Sequence, residues 1–581
     1  MPVTSTNGAR LVQGASAPPV AAGGLTIRLD TLLWLGLIAA AAALRLARLD
    51  ALPFTFEESA RALDALRVSQ DSVPDGWNGD LAAVVTSYLF RAFEESELVA
   101  RVAPAVAGSV MVAAVWLGGR GLGRVGALTA GALLAFSPLA LLLSRSAVPF
   151  SFGGLLAVVM VIALLSYLRE PRTHTAFLFA AAFGLAFSAD AVSTTTAIAV
   201  AAFLLLDPII ARRGAVARAW GVFRRSPAHW LSVLLVLAAA AELGVTHFGT
   251  FLDLSQPAGV ALWRDMFALP RDGREPWYQI TLLLAYDWPI LLAGGTGFVF
   301  FAQRLARRGF SALTPAQRFV LLWALVASVV VGLASQREAG QTLILIVPLA
   351  LLGGLLAEEL LQALSWAVLR RWWPAVAVTL VLLAYAALMT TIWAEEGATG
   401  AERFYLVMAL GGAMTVLAGC YSIMGRDASV IVIAVVAAVA FAFLAHTDLS
   451  LTRDGRAAEF AVDARTTERI EQFREVVDQF VASRSGPVLI DPALTGPLAW
   501  YLRDVTVTFA EPDDDATAVV VQAGREVDGF TTASEVWRVG GGWYPTDLDV
   551  LPLWRWLVFR EAYGNLNSMQ EVEAQILVPT P

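Results

Sequence analysis

The sequence predicts a multi-pass α-helical membrane protein that carries a small α/β domain at its C-terminal end. Two observations lead to this fold class. The 581 residues are 57% hydrophobic and only 15% charged, with a mean hydropathy of +0.65, whereas an average soluble domain has about 25% charged residues. In addition, apolar runs approaching the length of about 20 residues that a bilayer requires recur along most of the chain.

Roughly thirteen of these runs are candidate membrane spans. They lie near residues 30–47, 98–118, 124–142, 150–168, 175–189, 191–210, 229–247, 278–302, 317–335, 341–365, 374–394, 403–423 and 428–446. The first run begins late, and no small-residue cleavage site separates it from the spans that follow. We therefore expect a retained anchor and not a cleaved signal peptide.

Composition divides the chain into three parts. Residues 1–25 are rich in Ala, Gly, Ser and Pro, which is typical of a disordered tail. We predict a transmembrane domain over residues 26–446, in which the outer loop 50–97 forms two helices along the membrane surface. Residues 447–581 alternate helical and β-rich patterns, which predicts an extracytoplasmic α/β domain.

Within that C-terminal domain, individual runs predict individual elements. The pattern of "TTERIEQFREVVDQFVASR" is that of an amphipathic helix. We expect "GPVLID" to form a core strand and "PLAWYLRD" the helix after it. Further short strands are predicted at "VTVTFAE", "ATAVVVQA" and "EVWRVG".

Basic residues fix the predicted orientation. The sequence contains no lysine, so all 41 basic residues are arginine, and the net charge of −8 gives no reason to expect a nucleic-acid partner. With the N-terminus in the cytoplasm, the even-numbered loops hold most loop arginines, as the positive-inside rule requires. These are Arg120, Arg124, Arg169, Arg172, Arg212, Arg213, Arg218, Arg224, Arg225, Arg304, Arg307, Arg308, Arg370, Arg371 and Arg426.

Several classes of site are excluded by motif and cysteine usage. The single cysteine, Cys420, lies in an apolar run, so an intrachain disulfide or a multi-thiolate metal site is impossible. The chain has no P-loop, GxGxxG, HExxH or CxxC motif. No cofactor is indicated, and a divalent cation is left open because no ligand spacing singles out a set of residues.

A pair of adjacent glutamates, Glu57 and Glu58, follows the first span by a few residues on the predicted outer side. One interpretation is a catalytic carboxylate. The other is a solvated or helix-capping pair, since negative charge is favoured at a helix N-terminus. A similar pair, Glu94 and Glu95, lies in the same loop, where the capping or solvated interpretation is favoured. Asp190, at the start of a span, is interpreted as an N-cap.

Six segments, taken in chain order, are similar to those of a known family. They are "PFTFEESARALDA", "SELVARVAPAVAG", "SPLALLLSRSAVPF", "REPWYQITLLLAYDWPILL", "REAGQTLILIVPLALLGG" and "GPLAWYLRD". Together, on one topology, they resemble the GT-C glycosyltransferases that use a polyprenyl-phosphate sugar, a group that contains the protein O-mannosyltransferases and the aminoarabinose transferases. These enzymes are of the glycosyltransferase family 39 type. Within that type, the chain most resembles the membrane-bound mannosyltransferase-like branch.

The resemblance implies an inverting transferase that moves a hexose, mannose-like, from a polyprenyl phosphate to a protein or glycan acceptor at the extracytoplasmic face. Such a transfer needs a carboxylate for the acceptor's proton and cations for the departing phosphate. Glu57 and Glu58 are the candidate catalytic residues. Arginine binds phosphate oxygens bidentately, and the donor-phosphate candidates on the outer side are Arg145, Arg264, Arg274 and Arg337.

The chain also departs from the family pattern, most clearly where Glu57 stands in place of an Asp. A catalytically inactive scaffold or lipid-binding protein with the same fold is therefore the alternative function. A transporter is the third, and it is disfavoured because ionisable residues collect at the outer face and not at mid-span positions, with Asp287 and Glu242 as exceptions. In each case we expect a multi-pass protein of the cell membrane that contacts membrane lipids.

Overall fold

The computed structural model is mostly helical, with a mixed sheet near the C-terminal end. The residues that it describes are 28–72, 79–210, 214–245, 257–271, 274–363, 366–396, 400–453, 459–462, 464–483, 486–513, 516–543, 549–563 and 569–580. The tail predicted for residues 1–25 lies outside this part of the chain.

Helices make up most of the described residues. In chain order they are α1 (Leu29–Leu46), α2 (Phe56–Ser69), α3 (Leu81–Ala92), α4 (Glu97–Leu117), α5 (Gly119–Leu122), α6 (Arg124–Ala135), α7 (Pro138–Ser144), α8 (Phe150–Arg169), α9 (Thr173–Ala189), α10 (Ala191–Ile210), α11 (Ala215–Arg225), α12 (Pro227–Val245), α13 (Ala258–Asp265), α14 (Tyr278–Tyr286), α15 (Trp288–Arg308), α16 (Pro315–Leu333), α17 (Leu343–Ala363), α18 (Trp366–Glu396), α19 (Gly400–Met424), α20 (Ser429–Arg453), α21 (Ile470–Ser483), α22 (Thr495–Leu498) and α23 (Val550–Phe559). Short 3₁₀ turns lie at Phe310–Ala312, Ala339–Thr342, Gly425–Ala428 and Pro492–Leu494.

The protein is a multi-pass membrane protein by the length and apolarity of these helices. Among the described residues, ten helices are long and apolar enough to cross a membrane, and the pair α6–α7, bent by 60°, makes an eleventh. The helices α9 and α12 match two further predicted spans, but their apolar parts are shorter, at Thr173–Ala189 and Ala228–Gly244. The predicted total of about thirteen includes these two helices.

The spanning helices differ in how much of each is buried by protein. In α8 and α17, 72% of the spanning window is buried, whereas α18 and α19 are each only 17% buried. A helix that is apolar all round and buried lies in the core of the bundle, and one that is apolar and exposed faces lipid. The centre of the bundle is therefore built by α4, α8 and α17, and α18–α20 form a lipid-facing unit beside it.

The break between α6 and α7 and the break between α14 and α15 are connected by one buried carboxylate, that of Asp287. Asp287, between α14 and α15, accepts hydrogen bonds from Ser137 Oγ at 2.9 Å and from the backbone N–H of Leu139 at 3.3 Å. The latter N–H belongs to the first turn of α7, where intrahelical partners are missing. Asp287 thus caps α7, while Glu242, the other exception to the argument against transport, is exposed on α12.

The C-terminal sheet has seven strands: β1 (Arg465–Thr466), β2 (Val488–Ile490), β3 (Thr508–Phe509), β4 (Ala518–Gln522), β5 (Phe530–Thr532), β6 (Trp537–Trp543) and β7 (Met569–Pro579). Their order is β1-β6-β7-β4-β2-β3, and β5 also pairs with β7. Among the described strands, the pairings of β2 with β3 and with β4 are parallel and the other pairings are antiparallel. The amphipathic helix α21 packs its apolar face against this sheet.

Several predicted elements of the C-terminal domain are present. The helix α21 and the strand β2 lie where the sequence predicted them. The helix predicted for "PLAWYLRD" is shorter, because α22 ends at Leu498 and the chain continues in turns. The sequence analysis did not identify β7, although this strand pairs with β4, β5 and β6 and holds the sheet together.

The segments that the sequence predicted to face outward meet at one end of the bundle, beside the sheet. There Arg145 contacts the chain at Arg48, the N–H groups of Ser335 and Gln336 both donate to the carbonyl of Met266, and Thr55 forms a β-bridge with Arg465. We call this the sheet-side end. It brings together the loops that connect α1–α2, α7–α8, α13–α14 and α16–α17.

Candidate active site

The helix α2 starts with a capping box that fixes the first turn. Thr55 Oγ1 accepts from the N–H of Glu58 at 3.1 Å, and Glu58 Oε2 accepts from the N–H of Thr55 at 2.9 Å. This reciprocal pair satisfies two N–H groups that have no intrahelical partner. Because neighbouring residues on a helix point about 100° apart, Glu57 and Glu58 face different surroundings.

Glu58 lies in a buried ion pair. Its side chain is 2% exposed, and Arg101 donates from Nε to Oε1 at 2.7 Å and from Nη2 to Oε2 at 3.0 Å. The N–H of Ala147 also donates to Oε1, at 2.9 Å. Burial acts to raise the pKa of Glu58, but the Arg101 guanidinium and the N–H donors outweigh it and hold the pKa below its usual value. The carboxylate is thus fixed and weakly basic, a poor proton acceptor.

Glu57 faces the other side of α2. Its side chain is 46% exposed and forms an ion pair with Arg61, one helical turn further on, with 3.1 Å between Arg61 Nε and Glu57 Oε1. An exposed pair at i,i+4 contributes only about 0.3–0.5 kcal/mol. The carboxylate of Glu57 is therefore weakly held and remains accessible to a ligand.

Arg61 connects α2 to α3. Its guanidinium donates to Asp80, whose side chain is 5% exposed and also caps α3 by accepting from the N–H of Ala83 at 2.8 Å. Burial acts to lower the pKa of Arg61, but the carboxylates of Glu57, Asp80 and Glu338 raise it above its usual value. Arg61 therefore keeps its charge at every working pH.

Arg61 lines a polar cavity of about 160 Å³ at the sheet-side end. The cavity is formed by residues from α2, α8, α10, α13 and the loop between α16 and α17. They are Arg61, Phe150, Ala191, Leu262, Asp265, Met266, Gln336, Glu338 and Gln341. Charged and amide side chains of this kind can bind the hydroxyl groups of a sugar and an anionic group beside it.

An apolar groove of about 360 Å³ lies next to this cavity, between α14, α15, α16 and α17. The walls of the two touch where Gln279 of the groove donates from Nε2 to Oε1 of Gln341 of the cavity at 3.5 Å. Further along, the groove is lined by side chains such as Leu283, Leu345 and Leu349. A polar cavity and an apolar groove are therefore neighbours at this end of the bundle.

The four arginines named from the sequence have different surroundings. Arg145 follows α7 and donates to the carbonyls of Leu44 at 2.8 Å and Ala47 at 2.7 Å, so it caps the end of α1. Burial, together with the positive charges of Arg101 and Arg48, lowers the pKa of Arg145 to about 10.

The other three arginines lie near the cavity without lining it. Arg264 is 61% exposed and forms an ion pair with the cavity residue Asp265, at 3.2 Å. Arg337 is buried between the cavity residues Gln336 and Glu338 and donates to the carbonyl of Arg274 at 3.0 Å, and Arg274 donates to the carbonyl of Arg337 in return. Their role in binding a phosphate stays a prediction.

Carboxylates are numerous around the cavity, but they do not form a metal cage. Within the described part of the chain, no group of three or more His, Cys, Asp or Glu side chains is arranged to hold a metal ion. Asp190 is fully buried, and burial with the nearby Asp80 carboxylate raises its pKa to about 7, although hydrogen bonds from Ser193 oppose this. Asp190 also accepts from the N–H of Ser193 at 2.9 Å, which agrees with its predicted capping role.

Sequence reasoning missed Arg61, Asp80 and the pair of glutamines at 336 and 341. Arg61 had a usable signal, since it stands four residues after Glu57 and such residues share a helix face. The glutamines had none, because their side chains reach the cavity only when the loop after α16 packs against α13.

Comparison with known proteins agrees with this architecture. Residues 81–242 match the family model of dolichyl-phosphate-mannose-protein mannosyltransferase. The crystal structure of ArnT from Cupriavidus metallidurans bound to undecaprenyl phosphate has a TM-score of 0.51 and 15% sequence identity, over 85% of this chain and 93% of that one. The archaeal oligosaccharyltransferase AglB from Archaeoglobus fulgidus, in complex with an inhibitory peptide and a dolichol-phosphate, has a TM-score of 0.48 and 12% identity, over 85% of this chain and 69% of that one.

No curated protein sequence matches the chain. At 15% identity the ArnT structure defines the fold alone, and the family match at residues 81–242 covers α3 to α12. The chain therefore has the GT-C fold, and the resemblance to the GT-C glycosyltransferases that the sequence predicted is confirmed.

Proposed function

We propose that this protein is a glycosyltransferase that moves a hexose, mannose-like, from a polyprenyl-phosphate carrier to a hydroxyl of a protein or glycan acceptor. The observation that carries the proposal is the polar cavity lined by Arg61, the partner of Glu57, with an apolar groove next to it where Gln279 contacts Gln341. A lipid-linked sugar has this division into an apolar chain, an anionic phosphate and a polar ring. ArnT, which shares the fold, was crystallised with undecaprenyl phosphate.

The reaction faces the extracytoplasm in this proposal. The residues that form the cavity lie in outer loops, or at the outer ends of the predicted spans in the case of Phe150, Ala191 and Gln341, as the distribution of arginine assigns them. A phosphate carried by a membrane lipid lies at the bilayer surface, which is the level at which the outer loops meet the bundle. A reporter fused after Pro581 is expected to be labelled from the outer side, and labelling from the cytoplasm would contradict this orientation.

Glu57 acts as the general base. The acceptor's hydroxyl oxygen bonds to C1 of the sugar while the bond from C1 to the phosphate oxygen breaks, so the configuration at C1 inverts. The hydroxyl proton passes to Glu57, and the polyprenyl phosphate leaves with the bonding electrons. Such a base accelerates transfer by about 10²–10⁴-fold. Glu58, which the sequence analysis also named, holds α2 in place through Arg101.

Arg61 stabilises the charge that develops on the departing phosphate. It is the arginine that lines the cavity among the described residues, and it lies on the same face of α2 as Glu57. Fixed cations in a site that excludes water stabilise a developing anion more strongly than water does. Arg264, Arg274 and Arg337 surround the same cavity and add positive potential, and Gln336 and Gln341 bind the sugar's hydroxyl groups.

The alternative function is an inactive scaffold or lipid-binding protein with the same fold. One observation favours it: Arg61 is already paired with two carboxylates, those of Glu57 and Asp80. A protein of this kind would bind polyprenyl phosphate in the groove and would neither transfer nor release sugar.

The test is incubation of the purified protein with labelled polyprenyl-phosphate hexoses, scored for sugar transfer or release. We expect turnover by the parent and a 10²–10⁴-fold lower kcat for Glu57→Gln, with donor binding unchanged. Glu94→Gln is the matched control, because Glu94 is an exposed glutamate of the same outer loop. Donor binding without turnover would support the inactive alternative, and full turnover by Glu57→Gln would remove Glu57 from the mechanism.

A further inference from the structure

The segment that leads into α2 is held by the C-terminal sheet. The N–H of Phe56 donates to the carbonyl of Ala464 at 3.2 Å, and the N–H of Thr466 in β1 donates to the carbonyl of Phe54 at 3.0 Å. Thr55 pairs with Arg465 between them. Backbone hydrogen bonds thus attach the residues just before Glu57 to the sheet, although more than 400 residues separate the two in sequence.

A tyrosine of the sheet domain adds a side-chain attachment at the same place. Tyr501 Oη accepts from the N–H of Phe54 at 2.8 Å and donates to Oε1 of Glu97, the first residue of α4. The tyrosine is 4% exposed. Burial and the Glu97 carboxylate raise the pKa of Tyr501 above its usual value, so its hydroxyl keeps the proton it donates. One hydroxyl group therefore joins α4, the sheet domain and the entry to α2.

The residues around Tyr501 make this junction rigid. Trp500 is 2% exposed and packs edge-on against Phe54, with 5.3 Å between ring centroids. It also stacks on Phe90 of α3, with 5.9 Å between ring centroids. Arg503 lies over Trp500 at 4.2 Å and donates to the carbonyl of Glu95 at 3.4 Å. The segment "WYLRD", which the sequence analysis noted as part of a family-like motif and of a predicted helix, thus supplies the contacts to the outer loop.

The entry to α2 consequently has two separate anchors. On the membrane side, Arg101 donates to the carbonyls of Leu49 at 2.9 Å and Leu52 at 2.7 Å and binds Glu58. On the sheet side, Tyr501 binds the N–H of Phe54. Without the Tyr501 hydroxyl, the backbone hydrogen bonds of Phe54 and Phe56 to the sheet remain, so we expect only a small shift of α2. A base displaced by as much as about 1 Å loses on the order of 10²-fold in rate.

We propose that Tyr501 is a positioning residue: through its hydrogen bonds to Phe54 and Glu97 it sets the orientation of α2 and hence of Glu57. The inference rests on the proposed function for its catalytic consequence, but the positioning of α2 is a property of the fold. The C-terminal sheet domain then contributes to the active site, because it orients the helix that carries Glu57.

The test is Tyr501→Phe, which removes the hydroxyl group and keeps the ring. We expect kcat to fall about tenfold, the typical effect of one lost buried hydrogen bond, with the donor KM and the pH profile unchanged. We also expect hydrogen exchange of the amides at residues 54–61 to become about tenfold faster. The matched control is Tyr286→Phe, since Tyr286 is equally buried, donates to Glu459 at 2.7 Å and accepts from the N–H of Ala461 at 3.3 Å.

The control removes the same kind of hydroxyl bridge between the bundle and the C-terminal residues, at a site that does not touch α2. An increase in exchange at residues 54–61 in Tyr501→Phe but not in Tyr286→Phe supports the positioning role. Equal exchange there in both variants, or equal kcat, overturns it. If the parent transfers no sugar, the proposed function fails by itself, and the exchange measurement still decides whether Tyr501 positions α2.

Discussion

The two sides of α2 carry the same residue type, glutamate, in very different surroundings. On one side, Glu58 is 2% exposed, has a bidentate partner in Arg101 and accepts two backbone N–H groups. On the other, Glu57 is 46% exposed and shares Arg61 with Asp80 at the edge of a cavity. The first side has every carboxylate oxygen occupied, whereas the second keeps a carboxylate and a guanidinium within reach of a ligand.

The difference shows how one short helix can serve stability and chemistry together. The buried pair holds α2 against α4 and fixes the direction in which Glu57 points. The exposed pair can change partners at little cost, because an exposed ion pair has low net stability. A base must be rigidly placed but weakly bound, and in the proposed mechanism two adjacent glutamates with opposite surroundings meet both conditions.

The greatest loss of stability is expected when the buried ion pair between Arg101 and Glu58 is broken. Arg101→Met leaves the Glu58 carboxylate buried without its cation, so we expect the free energy of unfolding to fall by about 3–5 kcal/mol. Replacing both partners, in Arg101→Met with Glu58→Met, is expected to restore most of that loss. Denaturant unfolding in detergent measures both.

Glu57→Gln is the control for the exposed side, where the loss is expected to stay within about 1 kcal/mol because Glu57 is 46% exposed. If the double variant is no more stable than Arg101→Met, then the buried pair is not the source of the stability.

The second prediction tests whether Arg61, on the exposed side of α2, contributes to the rate of transfer. Arg61→Met removes the cation that lines the cavity, and we expect kcat to fall by about 10²–10³-fold, the typical cost of losing one group that stabilises a developing anion. Arg61→Lys is expected to recover part of this rate, since it keeps the charge without the fork geometry. Transfer from labelled polyprenyl-phosphate hexose provides the measurement.

Arg264→Met is the matched control, because Arg264 is 61% exposed and paired with its neighbour Asp265. We expect its kcat to fall by less than that of Arg61→Met, because Arg264 adds positive potential from outside the lining of the cavity. A large loss in this control with none in Arg61→Met would reverse the assignment of the phosphate-binding arginine.

A third expected effect is a pH dependence of stability that comes from the buried side. The folded-state pKa of Glu58 lies below its ordinary value of 4.5, so its stabilising contribution is present above that value and is lost as the pH falls through the folded-state pKa. The slope for one proton is at most about 1.4 kcal/mol per pH unit. We expect Glu58→Gln to lack this component in unfolding measured between neutral pH and pH about 3, and an unchanged slope would contradict the assignment.

The bundle was predictable to a large extent because its signals are local. Runs of apolar residues identified the spans, and the pattern Thr55-x-x-Glu58 is a capping box that can be read directly from the chain. The strand at Val488–Ile490 and the helix at Ile470–Ser483 were predicted from short patterns. The strand β7 was not predicted, because its place depends on pairing with three strands distant in sequence.

The fold class, the family resemblance and the position of an acidic pair just after the first span could be read from the chain, since each follows from composition or from a short pattern. Which glutamate is buried could not, because that depends on Arg101 of α4 and the N–H of Ala147, which lie beside α2 in the folded protein. The contact of Tyr501 with Phe54 could not be read from the chain either, because 447 residues separate the two. Burial and hydrogen bonding are set by neighbours in space, and those neighbours here come from segments that share no local pattern.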